Sequence, residues 1–282
     1  MTGQAERVLE LGRLKSKQGV KSPPKIFAFT SGKGGTGKTF LSLNLAYSLS
    51  RHNKKVLFVD LDPNLSNANI MLNIIATKTI FNFFTGRNLL HELITEVEPN
   101  FHFIFGDSGK LNYPKAKNDI ISQLFNQLRN LRENYDFIFL DTGAGASEEV
   151  ISIISKTDGA IIVASPEPTA VMDAYVMIKL LSSGGYTGKK FVIINKCGEN
   201  EDGRATFNNL TMAADRFLKE KLHLLGTVSF DQSVNKAIIT QQLFLSRYPK
   251  STAGAQIVKI SKALTEFIQL ANIHHQQVEL IP

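Results

Sequence analysis

A single cysteine, Cys197, in a chain of 282 residues excludes an internal disulfide framework and a self-contained cysteine-rich metal or cluster site. No stretch approaches the ~20 apolar residues of a membrane-spanning helix. The opening Met-Thr-Gly-Gln-Ala-Glu-Arg has no apolar signal core either, so a cytoplasmic protein is expected. Internal repeats and low-complexity tracts are missing. Acidic residues are outnumbered, 25 against 32 Lys and Arg, giving a net charge of +7. Apart from a modest cluster between Arg13 and Lys25, these cations are scattered, and no long basic stripe marks a nucleic-acid surface.

What is present is a large apolar fraction, 43%, enough for a substantial core. Strand-like runs alternate with helix-like ones from Ile26 onward: 26–29, 56–60, 101–105, 137–141, 160–164, 191–195 and 224–228. Such alternation predicts an α/β fold, a doubly wound and mainly parallel sheet with helices on both faces. Before it, residues 1–14 form a short helical candidate with Val8, Leu11 and Leu14 on one side. Residues 15–25, with Gly19, Pro23 and Pro24, read as a linker. The main domain spans 26–272 and ends in an amphipathic stripe of Ile257, Ile260, Leu264, Phe267, Ile268 and Ala271; residues 273–282 form a tail.

The richest segment is Gly32-Lys33-Gly34-Gly35-Thr36-Gly37-Lys38-Thr39, placed between the apolar run Ile26 to Phe29 and a helical run opened by Phe40. A glycine-rich turn from strand to helix lets backbone amides converge on phosphate oxygens and aims the positive helix N-terminus at them. Lys38 then reaches the terminal phosphates and the Thr39 hydroxyl can ligate Mg²⁺. Gly34 through Phe40 are therefore the candidate contacts of a nucleoside triphosphate.

In doubly wound sheets the ligand lies at the carboxyl ends of the strands, so polar residues that close apolar runs are candidates. Val56 to Val59 closes on Asp60-Leu61-Asp62-Pro63, and Phe137 to Leu140 closes on Asp141-Thr142-Gly143-Ala144-Gly145. Asp141 has the position of a magnesium-holding Walker B carboxylate, with Gly143 and Gly145 freeing the loop behind it. Asp60 fits the magnesium shell or a helix cap. Phe191 to Ile194 closes on Asn195-Lys196. An asparagine can match both the N6 donor and the N7 acceptor of adenine, though it is also a common turn residue. Val228 to Phe230 leads to Asp231, either a wall of the base site or the cap of a helix starting at Gln232.

The two lysines of KGGTGKT make the loop similar to the deviant Walker A motif of the MinD/ParA family of ATPases. DLDP at 60–63 with Asn67 resembles that family's switch I. The resemblance covers about Ile26 to Leu270. It implies that Lys38 acts in its own site while Lys33 reaches across an ATP-dependent homodimer to the partner's phosphates, a role comparable to an arginine finger. It also implies that Asp62 places the attacking water, that Asn195, Lys196 and Asp231 surround the adenine, and that the cofactors are ATP/ADP and Mg²⁺.

Within the family, DTGAG at 141–145, the DxxVxxA pattern from Asp231 to Ala237, and Gln241 to Leu245 with Tyr248-Pro249 resemble the flagellar regulators of the FlhG (YlxH, FleN) branch. Gln4-Ala5 opening the first helix resembles the FlhG segment that activates the GTPase FlhF, although Gly3, Val8 and Leu9 replace the branch's Asp, Leu and Arg. That branch implies FlhF and flagellar C-ring proteins as partners, and reversible association with the inner face of the cell membrane through the last helix. The stripe there offers few cations, only Lys259 and Lys262 beside Glu266, so packing on the sheet explains it better. DLDP is closer to partition ATPases of the ParA type, which bind DNA. That reading, with a MinD-like division-site regulator beside it, is the alternative. Cluster-carrying relatives need paired cysteines, and kinase relatives a tyrosine-rich tail; neither is in the chain.

Overall fold

The alternating runs close into one eight-stranded sheet in the computed structural model, which describes residues 25–62, 68–107, 118–131, 134–198 and 200–278. The strands are β1 (Lys25–Thr30), β2 (Val56–Leu61), β3 (Thr95–Glu98), β4 (Phe101–Ile104), β5 (Phe137–Thr142), β6 (Gly159–Ala164), β7 (Lys189–Cys197) and β8 (Leu222–Ser229), in the order β3-β4-β2-β5-β1-β6-β7-β8. Every pairing is parallel except β3 with β4. The expected first helix at 1–14, most of the linker and Asn67 lie outside the described residues, while Lys25, assigned above to the linker, opens β1.

The helices are α1 (Lys38–Arg51), α2 (Ala68–Leu72), α3 (Ile80–Phe84), α4 (Asn118–Asn130), α5 (Glu148–Ile154), α6 (Pro168–Ser183), α7 (Asn200–Leu218), α8 (Gln232–Ile239), α9 (Phe244–Arg247) and α10 (Thr252–Val278). Residues of alternate parity face opposite sides of a strand. Here one parity is filled by phenylalanine: Phe27 and Phe29 on β1, Phe58 on β2, Phe101 and Phe103 on β4, Phe139 on β5 and Phe191 on β7 form one buried cluster under α1 and α10. Their rings interlock, Phe58 stacking on Phe103 at 4.6 Å and Phe29 meeting Phe139 edge-on at 4.8 Å. The other parity, with Ala28, Leu57, Val59, Ile138 and Leu140, packs under α4 and α5, while Ile162, Val192 and Ile194 lie under α6 and α7.

This Phe-rich face accounts for the end of the chain as well. Ile257, Ile260 and Leu264 are fully buried against it, and Phe267 and Ile268 pack at its margin, so the last helix spends its apolar stripe on the sheet. The helix runs on through Val278, past the boundary drawn at 272. No helix among the described residues is long and apolar enough to cross a membrane.

One strand was not expected. The segment Thr-Glu-Val-Glu of β3 lacks an apolar run, and it is held as a strand by a tight return to β4 in which Asn100 takes a left-handed φ of 65°. Asn100 also accepts a hydrogen bond from the Val56 amide at 2.8 Å, tying that hairpin to β2. The central strand β1 lies beside β5; from β1 the chain proceeds to β2, toward the β3 edge, and from β5 it crosses to β6, toward the β8 edge. The loop after β1 therefore sits where the strand order reverses, the usual ligand crevice of such sheets.

Candidate functional site

The loop from Gly32 to Gly37 leaves β1 at that crevice and enters α1 through Gly37, whose φ of 90° is left-handed. An L side chain there would be strained, and its Cβ would lie 2.3 Å from Asn195 Nδ2. Two side chains from the end of β7 fix the loop from outside. Asn195 Nδ2 donates to the Thr36 carbonyl at 2.8 Å, and Lys196 Nζ donates to the Gly35 carbonyl at 2.7 Å. With carbonyls held outward, a turn of this kind leaves amides to face an anion. Thr36 Oγ1 is buried without a hydrogen-bond partner among the described residues, a further polar atom that an anionic oxygen would satisfy.

At the mouth of α1 the predicted charges meet. Lys38 Nζ pairs with Asp141 Oδ1 at 2.9 Å, with Lys38 6% and Asp141 0% exposed. Thr39 Oγ1 donates to Asp141 Oδ2 at 2.7 Å, and Ser42 Oγ donates to Asp141 Oδ1 at 2.9 Å. Asp60 stands beside Asp141 in the β2–β5 register, is buried, and accepts the Asp62 amide at 3.1 Å. The hydroxyl of Thr39 and the carboxylate of Asp141 are hard oxygen donors on one spot. No group of three His, Cys, Asp or Glu side chains converges as a metal cage among the described residues. That sparse oxygen set fits Mg²⁺, which keeps waters and substrate phosphates as ligands, and does not fit zinc.

Lys33 lies apart from this cluster. Its Nζ pairs with Glu167 Oε2 at 2.5 Å and donates to Thr169 Oγ1 at 3.0 Å, both at the start of α6. Lys33 donates to the Glu167 carboxylate and attracts it electrostatically, which together hold that carboxyl below its ordinary pKa. The pair is open to solvent and therefore weakly held. α6 comes this close because residue 32 is glycine: a Cβ there would lie 2.3 Å from the Asp173 carbonyl carbon.

Beside the loop, a cavity of about 220 Å³ is bounded by Gly35, Phe40, Asn195, Phe230, Asp231 and Ile238 among others. Asp231 carries out the capping role: its carboxylate accepts from the Ser233 amide at 2.9 Å and from the Ala253 amide. Burial works to raise its pKa, and the hydrogen bonds from Ser233, Ala253 and Ser251 outweigh that, for a net lowering.

A profile of the AAA domain family matches residues 24–183. The flagellum site-determining protein YlxH of Helicobacter pylori is 30% identical over 275 residues, covering 95% of this chain and 92% of its own. The chain belongs to the MinD/ParA family of ATPases. The antiactivator FleN of Pseudomonas aeruginosa is also similar, 28% identical over 256 residues and 91% of each chain. Among solved structures, the cell division ATPase MinD of Pyrococcus furiosus superposes with a TM-score of 0.74 at 21% identity, covering 86% of this chain and 99% of that one. MinD of Pyrococcus horikoshii, complexed with Mg-ADP, gives 0.72 at 23% identity over 89% of this chain and 98% of its own. At those identities the two structures speak to the fold.

For this member of the MinD/ParA family, Lys38, Thr39, Asp60 and Asp141 come together as the motif reading expects. Asn195 and Lys196 join them from β7, although one N–H of the Asn195 amide is spent on Thr36, which leaves its second N–H and Oδ1 for a base. Ser42, Glu167 and Thr169 were missed. Glu167 had a readable signal, since β6 closes on Ser165-Pro166-Glu167 as the other site strands close on their polar residues. Lys38→Ala is expected to abolish detectable ATP binding by isothermal titration. It also leaves a buried Asp141 without its cation, so unfolding free energy should fall by about 3 kcal/mol in chemical denaturation.

Proposed function

We propose that the chain is an ATP-controlled, dimerising switch that regulates the number or placement of flagella. The position of Lys33 carries the reading: among the described residues this second cation of the phosphate loop is held by exposed partners, Glu167 and Thr169, and is thus available to a second copy. Lys38 and the loop amides bind the β- and γ-phosphates. Thr39 and Asp141 would hold Mg²⁺, which offsets the charge of the phosphates against Asp60 and Asp141. Asp62, half-buried at the end of β2, orients the attacking water. Two copies meet through the loop faces, and each Lys33 leaves Glu167 for its partner's phosphates. Hydrolysis is slow and loosens the dimer, so the useful output is a change of partners.

The flagellar assignment is supported by the likeness, over nearly the full length of both chains, to a flagellum site-determining protein. Under this reading FlhF and flagellar C-ring proteins are the partners, FlhF through residues 1–14. The test is light scattering behind size exclusion on the wild-type chain, together with flagellar counts in cells lacking it. Twice the monomer mass with Mg-ATP, monomer mass with ADP and altered counts are expected. Monomer at saturating ATP removes the switch, and unchanged counts remove the flagellar role.

A further inference from the structure

The two edges of the sheet are finished differently. Edge strands expose unpaired backbone groups, and folds usually blunt them with short length, charges or bulges. β3 has these protections: it is four residues long, carries Glu96 and Glu98, and is bulged against β4. At the opposite edge β8, although its register against β7 also shifts, is twice as long at eight residues, Leu-His-Leu-Leu-Gly-Thr-Val-Ser, with no Asp, Glu, Lys or Arg in it. Its outer side opens into a cleft of about 600 Å³ whose floor is Leu224, Leu225, Gly226 and Thr227.

The cleft has one wall from each face of the sheet. Arg204 of α7 stands on one side and Lys259 of α10 on the other, both exposed. Among the described residues neither has a carboxylate partner. Gly226 lets α10 pack close over β8, since Ile260 Cγ1 would lie 2.6 Å from a Cβ at that position. The upper limit is set by Gln256, whose Oε1 takes the Ser229 amide at 2.8 Å and closes the edge there.

We propose that this cleft takes an extended, acidic segment of a partner protein, added to the sheet as a ninth strand beside β8. Main-chain hydrogen bonds to the edge below Ser229 supply the register. Successive side chains of an added strand point to opposite faces, so a glutamate or aspartate of either parity meets Arg204 or Lys259. A second copy of this chain is a poor occupant, because edge-to-edge pairing would bring the Arg204 and Lys259 walls of two molecules against each other.

The probe is a short fluorescein-labelled peptide with a central pair of glutamates flanked by valines and threonines, titrated with the full chain and followed by anisotropy. Saturable binding is expected, weakened at least about tenfold by the double substitution Arg204→Glu, Lys259→Glu. It should be abolished when alternate peptide nitrogens are methylated, with ATP hydrolysis of the variant unchanged. No saturation with the wild type, equal binding of the methylated peptide, or concentration-dependent dimers without ATP that the double variant loses would each overturn the proposal.

Discussion

Lys33→Ala is expected to lower ATP hydrolysis by about 10³-fold or more while ATP binding by the single subunit changes little, because in the proposed dimer Lys33 is a cation supplied in trans that acts on charge developing during phosphoryl transfer. The structure makes the expectation specific. Lys33 touches Glu167 and Thr169, not the Lys38–Asp141 cluster, so its loss leaves the local site intact. Its contact with Glu167 is solvent-exposed and inexpensive to break, so exchange for a partner's phosphates faces little opposition. Single-turnover hydrolysis and binding titrations on the same preparation separate the two effects. Wild-type hydrolysis by Lys33→Ala would remove the trans role, and equal loss of binding would place the lysine in its own site.

Asp62→Ala is expected to hold the protein as an ATP-bound dimer and to reduce hydrolysis by about 10² to 10⁴-fold, the range for a residue that positions or activates a proton-bearing nucleophile. Asp60 and Asp141 are buried and engaged with hydrogen-bond donors, whereas Asp62 stands two residues beyond Asp60, half-buried, with its own amide anchored on Asp60. Its truncation leaves in place the backbone anchor on Asp60 and the Thr39 and Asp141 oxygens. Light scattering with ATP should show a dimer that outlasts the wild-type one. Normal turnover by Asp62→Ala would show that another group places the water.

Much of this site was legible in advance because its parts are local. The phosphate loop, the strand-end aspartates and Asn195-Lys196 each follow an apolar run within a few residues, and the parallel sheet aligns such ends along one crevice. β3 was not legible, since its four residues carry no apolar alternation and are held by pairing with β4 and the turn at Asn100. The place of Asp231 was ambiguous between a base-site wall and a helix cap. Its bonds to Ser233 and Ala253 show that it caps while also bounding the cavity.

By itself the order of residues determined which chemistry the chain could hold: a loop able to wrap phosphates, one hydroxyl and one buried carboxylate for a divalent ion, and a second lysine one residue after the first glycine. These depend on short-range geometry, in which φ preferences and strand-to-helix turns are set by neighbours. Only the tertiary structure decided where that second lysine goes. Glu167 is 134 positions away along the chain, and it meets Lys33 because Gly32 lets α6 pack against the loop. The bare edge of β8 is likewise a property of sheet order, since a strand's pairing depends on which others fold beside it, and nothing in its own eight residues states that one side is left open.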